Sequence, residues 1–260
     1  MRKPVIYFIG AGLAPSHVTL EALSALSSVD LILVETYTSF VDWDLTALIK
    51  RIAPFAEVVP VSRKLLEENS EEVIKEAIER GALAVVSPGD PFVATTHTAL
   101  RLEAAKRGVK AIYVPGTSAL HYAFSAACLS IYKLGGCATV VYPKWGILSE
   151  SAYLLVQMNR ERGRHTFLFL DLDEELGPMD PSQALRLLLE AQRRLGGSAL
   201  SPSEKIVVLQ RLGLPRERIY YVTIESALSR EWRDPPYSII ILGQLHPVES
   251  ECLEVVSRDE

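Results

Sequence analysis

Apolar runs of strand length alternate with amphipathic segments of helix length through the first half of the chain. Such alternation builds right-handed βαβ units, so it predicts a parallel sheet with helices on its faces. Before the fourth run, Asn69 and Glu72 have the spacing of a capping box and Gly81 is a typical helix stop, which together predict a helix. The predicted strands lie at residues 5–9, 31–34, 58–61, 83–86 and 111–114.

A second series of strands is predicted after Gly136. Its runs at 206–209 and 219–223 are closer in sequence than a βαβ crossover allows, so this half is predicted to hold a mixed sheet. The helical pattern at 118–129 marks the boundary between an N-terminal α/β domain, 1–118, and a C-terminal one, 119–260. A cleft between two such domains is the usual place for a ligand. The remaining predicted strands are 137–142, 166–170 and 238–242, with helices near 149–159 and 182–194.

Charge and cysteine content disfavour several classes of protein. The 260 residues include 27 basic and 32 acidic side chains without a basic block, which argues against a nucleic-acid partner. Cys128, Cys137 and Cys252 lack CxxC spacing and are predicted to be small buried hydrophobic side chains in a reducing cell. No apolar run reaches the roughly 20 residues of a membrane span or forms a signal peptide, which predicts a cytoplasmic protein. A mean hydropathy of +0.17 fits a chain that covers some surface with a partner.

Short motifs narrow the chemistry further. The five histidines show no pair at metal-binding spacing, and neither HExxH nor GxSxG occurs, so no metal site and no serine nucleophile is predicted. Arg63 follows a predicted strand, where it is either an anion ligand or a surface charge.

The stretch GAGLAPS, residues 10–16, follows the first predicted strand. Its glycines either let the backbone approach a ligand or form a tight turn, and Ser16 is predicted to cap the next helix. Pro15 replaces the third glycine of GxGxxG, and the acidic residue expected to bind ribose is equally Asp30 or Glu35, so a dinucleotide site is disfavoured.

The loop SPGDP, residues 87–91, follows the fourth predicted strand. Its two prolines fix the backbone, and Gly89 permits a turn or a close approach. Asp90 is thereby presented at the carboxyl end of a strand, where open α/β sheets bind ligands. The alternative is an Asx turn that satisfies the loop's own amides, with Thr95 as the cap of the next helix.

Six stretches taken together resemble the diphthine synthase family, the archaeal and eukaryotic branch of the tetrapyrrole methylase superfamily. They occur in the family's order and spacing and extend over nearly the whole chain. The resemblance implies two α/β domains with S-adenosylmethionine in the cleft between them, and a homodimer. The stretches are IYFIGAGL (6–13), VETYTS (34–39), SPGDPFVATTH (87–97), IYKLGGCATVVYP (131–143), HTFLFLDL (165–172) and DPPYSIIILGQLH (234–246).

The resemblance also implies a reaction and a set of cofactor-binding residues. The family methylates the α-amino nitrogen of the 3-amino-3-carboxypropyl group on the modified histidine of translation elongation factor 2. The family often has serine then isoleucine where Ala119 and Leu120 stand, and histidine where Tyr237 stands. Carried over by position, the cofactor site comprises Leu13, Asp90, Val93, Ser118, Ala119, Leu120, Leu170, Leu212 and Tyr237.

The chemistry of methyl transfer from a sulfonium requires orientation and exclusion of water more than acid catalysis. An amine nucleophile has to be neutral, so its proton leaves before each transfer, to water or to a base. No particular catalytic acid or base is identified in the sequence. Other interpretations are a corrin or porphyrin-precursor methyltransferase, a ribosomal-RNA methyltransferase, and a cofactor-free binding module whose loops are only turns.

Overall fold

A computed structural model describes residues 3–37, 39–173 and 175–257 of the chain. The chain divides into two compact units, Met1–Ala119 and Leu120–Glu260. Thr38, within the VETYTS stretch, lies outside the described residues.

The first unit holds a five-stranded sheet in the order β3-β2-β4-β1-β5, and every neighbouring pair is parallel. The predicted parallel sheet is therefore confirmed. A 3₁₀ turn follows β1 at Pro15–His17, and a π-helical turn follows β3 at Lys64–Glu68. The elements are β1 (Val5–Gly10), α1 (Leu20–Leu26), β2 (Leu31–Glu35), α2 (Leu45–Ile52), β3 (Glu57–Val61), α3 (Ser70–Arg80), β4 (Ala82–Ser87), α4 (His97–Lys106) and β5 (Lys110–Val114).

Two apolar clusters form the core of this unit. Strands β2 and β4 contribute to both clusters: Leu33 and Val85 belong to one, and Val34 and Val86 to the other. A strand covered on both faces reads as a continuous apolar run, which is why these segments were recognisable in the sequence.

The helix ends of the first unit differ in part from expectation. Gly81 ends α3 with a left-handed φ of 81°, as predicted. Asn69 is the N-cap residue of that helix, but its side chain makes no capping hydrogen bond. Ser16 lies in the 3₁₀ turn, and Thr19 caps α1 instead by accepting a hydrogen bond from the Ala22 N–H at 3.0 Å.

The prediction for Thr95 is wrong, because Thr96 is the N-cap residue of α4. The Thr95 hydroxyl donates to the carbonyl of Pro91 at 2.5 Å, so it bonds back to the preceding loop. A threonine hydroxyl can bond to several nearby backbone groups, and which of them it bonds decides whether it caps a helix. The sequence does not reveal which group is nearest.

The second unit holds a five-stranded sheet in the order β11-β10-β12-β7-β6. Only the β6–β7 pair is parallel and the other pairs are antiparallel, so the predicted mixed sheet is confirmed. The elements are α5 (Ala119–Ala126), a 3₁₀ turn (Ile131–Lys133), β6 (Leu134–Val140), α6 (Ser151–Glu161), β7 (His165–Leu170), the short pair β8 (Leu172–Asp173) and β9 (Gly177–Pro178), α7 (Pro181–Leu195), β10 (Lys205–Gln210), β11 (Arg218–Thr223), α8 (Ile224–Ser229), β12 (Tyr237–Ile241) and α9 (Pro247–Val256).

A single large apolar cluster packs α6, α7 and α8 against one face of this sheet, with Tyr153 and Leu185 fully buried. A capping box at Asp180 and Gln183 starts α7, and a left-handed Gly196 ends it. Among the described helices, none has the length and apolar character required to cross a membrane. The prediction that the three cysteines are buried is wrong, because Cys137 is exposed and Cys128 and Cys252 are half-buried.

Candidate functional site

Three loops leave the carboxyl ends of adjacent strands in the first sheet. Strand β1 lies between β4 and β5, with Gly10 opposite Ser87 and Ile9 opposite Val114. The loops after β1 and β4 are joined by two backbone hydrogen bonds between Gly12 and Gly89, at 3.0 and 2.9 Å. Because ligands of open α/β sheets bind beyond the carboxyl ends of the strands, this edge is the candidate binding surface of the unit.

Glycines at this edge serve contacts between backbones. A Cβ on Gly10 would lie 2.5 Å from the Gly116 nitrogen, and one on Gly116 would lie 2.0 Å from the Gly89 oxygen. The loops after β1, β4 and β5 therefore touch at positions where no side chain fits. Gly89 itself, at φ 66°, has only the Thr117 oxygen near its missing Cβ, at 4.0 Å, so space remains beside it.

Asp90 is buried at the centre of this edge, with 5% of its surface exposed. Its Oδ1 accepts from the Phe92 N–H at 2.9 Å, which closes the Asx turn considered from the sequence. Its Oδ2 accepts from the Tyr113 hydroxyl at 2.5 Å and the Gly116 N–H at 3.2 Å. All three donors are neutral, so none of them balances the negative charge of the carboxylate. Their hydrogen bonds fix the shape of the loop.

The Tyr113 hydroxyl that donates to Asp90 is a weaker acid than an ordinary tyrosine. Burial, followed by the hydrogen bond and negative charge of Asp90, raises the pKa of Tyr113 to about 12. The hydroxyl therefore keeps its proton near neutral pH and donates to the carboxylate.

The other predicted site residues of this unit lie on the same edge. The Leu13 N–H donates to His17 Nδ1, and its carbonyl accepts from Trp43 Nε1, both at 3.3 Å. Its half-buried side chain is therefore the part of Leu13 that remains for other contacts. The N–H of Val93 donates to the Asp90 carbonyl at 3.3 Å. Ser118 is buried in the loop after β5, and Ala119 begins α5.

Residues Leu170, Leu212 and Tyr237 lie at one edge of the second sheet. Tyr237 opens β12 opposite Gln210, the last residue of β10, and Leu212 follows two residues later. Ser238 lies opposite Phe169, so Leu170 ends β7 at this same edge. Leu120 is buried in α5.

Buried polar side chains fasten the loops at this second edge. Gln210 Nε2 donates to the carbonyl of Asp234 at 3.0 Å, and Gln210 Oε1 accepts from the Tyr220 hydroxyl at 2.9 Å. Arg211 donates from its backbone N–H to the Pro236 carbonyl at 2.9 Å. Since side chains in such networks have fixed rotamers, the loops after β10 and before β12 are held in one arrangement.

The Tyr237 ring is part of the unit's core, in an edge contact with Trp232 at 5.6 Å between centroids. Its hydroxyl donates to the Arg233 carbonyl. Burial, then the neighbouring Tyr220 and Asp234, raise the pKa of Tyr237, so the hydroxyl stays protonated. Its phenol is thus engaged inside the unit.

Three of the six described non-glycine residues with a left-handed φ lie beside predicted site residues. Ala94, Arg211 and Asp234 hold left-handed φ values of 57°, 55° and 62°, which L-residues other than glycine rarely adopt. Ala94 follows Val93, Arg211 precedes Leu212, and Asp234 lies shortly before Tyr237. Strained backbone persists where the surrounding structure enforces it, and such positions cluster at functional sites.

The pair His97 and Glu35 was missed by reasoning from the sequence. Both side chains are at most 1% exposed, and His97 Nε2 lies 3.5 Å from Glu35 Oε2. Glu35 thus faces a histidine, while Asp30 is exposed before β2, and neither arrangement indicates a ribose site. The available signal was the position of both residues within the family-like stretches VETYTS and SPGDPFVATTH.

Arg63 has the features of a surface charge. Its side chain is 58% exposed, reaches Glu67 Oε1 at 3.8 Å and stacks over the Tyr37 ring at 5.2 Å.

The edge of the first sheet suits a ligand with a cationic group. Asp90 supplies a buried carboxylate without a cationic donor, open space lies beside Gly89, and the remaining side chains are mainly aliphatic. Within the described part of the chain, no group of three or more metal-binding side chains occurs.

Comparison with known proteins identifies close relatives. The family model described as Tetrapyrrole (Corrin/Porphyrin) Methylases matches residues 5–228. Diphthine synthase of Pyrobaculum calidifontis is 37% identical over 255 residues, covering 98% of this chain and 99% of the relative. A crystal structure of diphthine synthase has a TM-score of 0.86 at 28% identity, covering 97% of this chain and 96% of that one. A conserved hypothetical protein from Aeropyrum pernix K1 has a TM-score of 0.91 at 35% identity, covering 99% and 91%.

Proposed function

Because the chain belongs to the tetrapyrrole methylase family and, within it, to the diphthine synthases, we propose that it transfers methyl groups from S-adenosylmethionine to an amino nitrogen. The family membership makes it a methyltransferase. The acceptor that we propose is the α-amino group of the 3-amino-3-carboxypropyl-histidine of translation elongation factor 2. The observation that carries this proposal is the match to diphthine synthases over nearly the full length of both chains.

The proposed cofactor site uses both sheet edges. In the first unit it comprises Leu13, Asp90, Val93, Ser118 and Ala119, and in the second unit Leu120, Leu170, Leu212 and Tyr237. The collection of Asp90 and its neighbours at the carboxyl edge of a parallel sheet supports the first set. The shared edge of β7, β10 and β12 and the strained backbone at Arg211 and Asp234 support the second.

When bound, S-adenosylmethionine supplies an electrophilic methyl group on a sulfonium, whose leaving thioether needs no proton. The chain's own residues hold the reactants in line and exclude water. Asp90 is proposed to meet the cationic ammonium, because a buried carboxylate surrounded by neutral donors gains most from an opposite charge. We assign no residue as the base, and the acceptor amine loses its proton before transfer.

The protein partner is proposed to be elongation factor 2, and the location the cytoplasm, where that factor works. We further propose a homodimer. Support comes from exposed apolar side chains around β6, the last strand of the second sheet in its order: Tyr132 precedes it, and Trp145 and Ile147 follow it. Sheet edges with apolar flanks favour association.

The direct test of this function is methylation of elongation factor 2 in vitro. Factor carrying the precursor histidine is incubated with the purified chain and methyl-labelled S-adenosylmethionine, and the peptide with that histidine is analysed by mass spectrometry. Label on the amino group is the expected result. Factor with an unmodified histidine is the control and should remain unlabelled.

The same assay discriminates the alternative of a corrin or porphyrin-precursor methyltransferase. Labelling of uroporphyrinogen or a corrin precursor with no label on the factor would overturn the proposed substrate. The curated relatives favour the protein substrate, since they are diphthine synthases.

A further inference from the structure

A buried histidine joins three elements of the first unit around the loop that carries Asp90. His97 begins α4, and its Nδ1 lies 3.0 Å from the carbonyl oxygen of Pro91, within that loop. The same nitrogen is 3.4 Å from the Ser87 hydroxyl at the end of β4. On the other side of the ring, Nε2 lies 3.5 Å from Glu35 Oε2, at the end of β2.

The Pro91 carbonyl only accepts hydrogen bonds, so Nδ1 carries the proton of that bond. Glu35 at the opposite nitrogen then limits rotation of the ring, since its Oε2 lies 3.5 Å from Nε2. Both side chains are almost fully buried, which favours a single orientation and removes competition from water.

We propose that His97, oriented by Glu35, is a positioning residue that holds the Pro91 carbonyl and thereby fixes the loop of Asp90 and Val93 for the cofactor. The inference rests on the proposed use of S-adenosylmethionine. Asp90 and Val93 flank Pro91 and Phe92, so a change in the direction of the Pro91 carbonyl turns both of them. A loop already fixed before binding loses less conformational entropy when the ligand arrives, which increases affinity.

Two substitutions at His97 separate this role from simple packing. Asparagine places an amide nitrogen close to the position of Nδ1, whereas glutamine places one close to Nε2. His97→Asn therefore keeps the donor to Pro91 and loses the contact with Glu35, and His97→Gln does the reverse. We expect both variants to melt at lower temperature than the wild type, because each replaces a buried ring.

The measurement is calorimetric titration of each full-length variant with S-adenosylhomocysteine, alongside single-turnover methylation at saturating cofactor. We expect His97→Gln to raise Kd about tenfold, because the loop loses roughly one directed hydrogen bond and becomes less ordered before binding. His97→Asn should stay within about twofold of the wild type, and the saturated rate should be unchanged in both. The matched control is His165→Asn, a histidine of equal burial in the second unit, which should lower the melting temperature without changing Kd.

Equal Kd values for the two His97 variants would overturn the inference, whether both match the wild type or both are weakened. If either variant fails to fold, Glu35→Gln and Glu35→Leu replace the pair. Only the glutamine hydrogen bonds to Nε2, so only Glu35→Leu should weaken binding, and equal effects would overturn the inference. Absence of binding to the wild type would reject the proposed cofactor together with this inference, whereas binding to the wild type with equal variants would reject the inference alone.

Discussion

Each unit of the chain buries one histidine against one glutamate, and the two pairs are built differently. His97 and Glu35 in the first unit are 3.5 Å apart, and His165 and Glu249 in the second are 3.6 Å apart. His97 Nδ1 donates to a loop carbonyl, whereas His165 Nδ1 accepts from the Gly243 N–H at 2.9 Å. The same two side chains therefore present opposite hydrogen-bonding roles to their surroundings.

The positions of the pairs differ as well. Glu35 ends β2 at the carboxyl edge of the first sheet, beside the proposed cofactor loops. His165 starts β7, and Ile241 near it ends β12, so the second pair lies at the edge opposite Leu170 and Tyr237. The first pair is placed to hold a functional loop and the second to hold structure.

Glu249 has a full set of donors, in contrast to Asp90. It accepts from Lys133 Nζ at 2.6 Å, the Ser130 N–H at 2.9 Å and the His246 N–H at 2.8 Å. A lysine charge is thus already committed to Glu249, and the pair secures the start of α9. Among the described residues, no comparable cation donates to Asp90, which is why only Asp90 is proposed to meet a ligand.

The largest effect is expected from a Cβ at the junction of the first unit's loops. In Gly116→Ala the new carbon would clash with the backbones of Gly89 and Gly10, so we expect a loss of about 3 kcal/mol in the free energy of unfolding. Binding of S-adenosylhomocysteine should become undetectable, because the loops after β1, β4 and β5 separate. Denaturant unfolding and calorimetry measure the two effects.

The matched variant in the second unit is Gly243→Ala. Its Cβ would lie 2.5 Å from the Arg164 backbone, a similar clash, at the edge of the His165 pair. Stability should fall by a similar amount while the affinity of the folded protein persists. If both variants lose affinity for S-adenosylhomocysteine under conditions where both are folded, the proposal that only the first of these two edges binds the cofactor is wrong.

A smaller but clear effect is expected from Glu249→Gln. Burial alone would raise the pKa of Glu249, but hydrogen bonds from the His246 N–H, Lys133 and the Ser130 N–H outweigh it and lower the pKa from 4.5 to about 2. Removing the charge leaves Lys133 without its carboxylate partner, so we expect a loss of about 2 kcal/mol in the free energy of unfolding at neutral pH, measured by denaturant unfolding.

The lowered pKa of Glu249 also predicts the direction in which stability changes with pH. A carboxyl with a lower pKa in the folded state stabilises fully above about pH 4.5, and this contribution disappears as the pH falls towards about 2. Wild type should therefore lose stability over that range more steeply than Glu249→Gln. Glu254→Gln, in the half-exposed ion pair with Lys205, is the control and should change stability by less than about 0.5 kcal/mol. Parallel acid profiles for wild type and Glu249→Gln would contradict the assignment.

Much of this architecture was accessible from the sequence for a physical reason. Strands such as β4 are buried on both faces and appear as apolar runs, and the short connection between β10 and β11 excluded a crossover. Helix α9 escaped prediction, because its N-cap is His246, a residue outside the usual capping set, and its buried surface is small.

The candidate site was accessible only in part. The Asp90 loop was recognisable from its prolines and glycine, and the Asx turn was anticipated. Its partners Tyr113 and Gly116 were not, since they lie on the far side of a crossover and become neighbours only when β5 pairs with β1. His97 and Glu35 were hidden for the same reason, because long-range pairing of polar residues has no periodic signal in a single sequence.

The smallest of these effects concerns the charge of Asp90. Asp90→Asn should weaken binding of S-adenosylhomocysteine about tenfold more than binding of 5′-methylthioadenosine, which has the same nucleoside and a thioether but lacks the ammonium. The ratio of the two Kd values isolates the charge, since any disturbance of the loop affects both ligands. Asp30→Asn, on an exposed residue before β2, is the control and should leave both affinities unchanged. If the substitution weakens binding of both ligands equally, Asp90 contacts the nucleoside that they share and not the ammonium.

Hydrogen exchange of the wild-type chain with and without S-adenosylhomocysteine tests the central claim most directly. We predict slower exchange at residues 87–93 and 116–119 of the first unit and at 170–173 and 210–213 of the second, with no change at 243–249 around the His165 pair. Protection confined to 243–249, or the same exchange with and without the ligand, would contradict the assignment of the cofactor site to the loop-bearing edges of the two sheets.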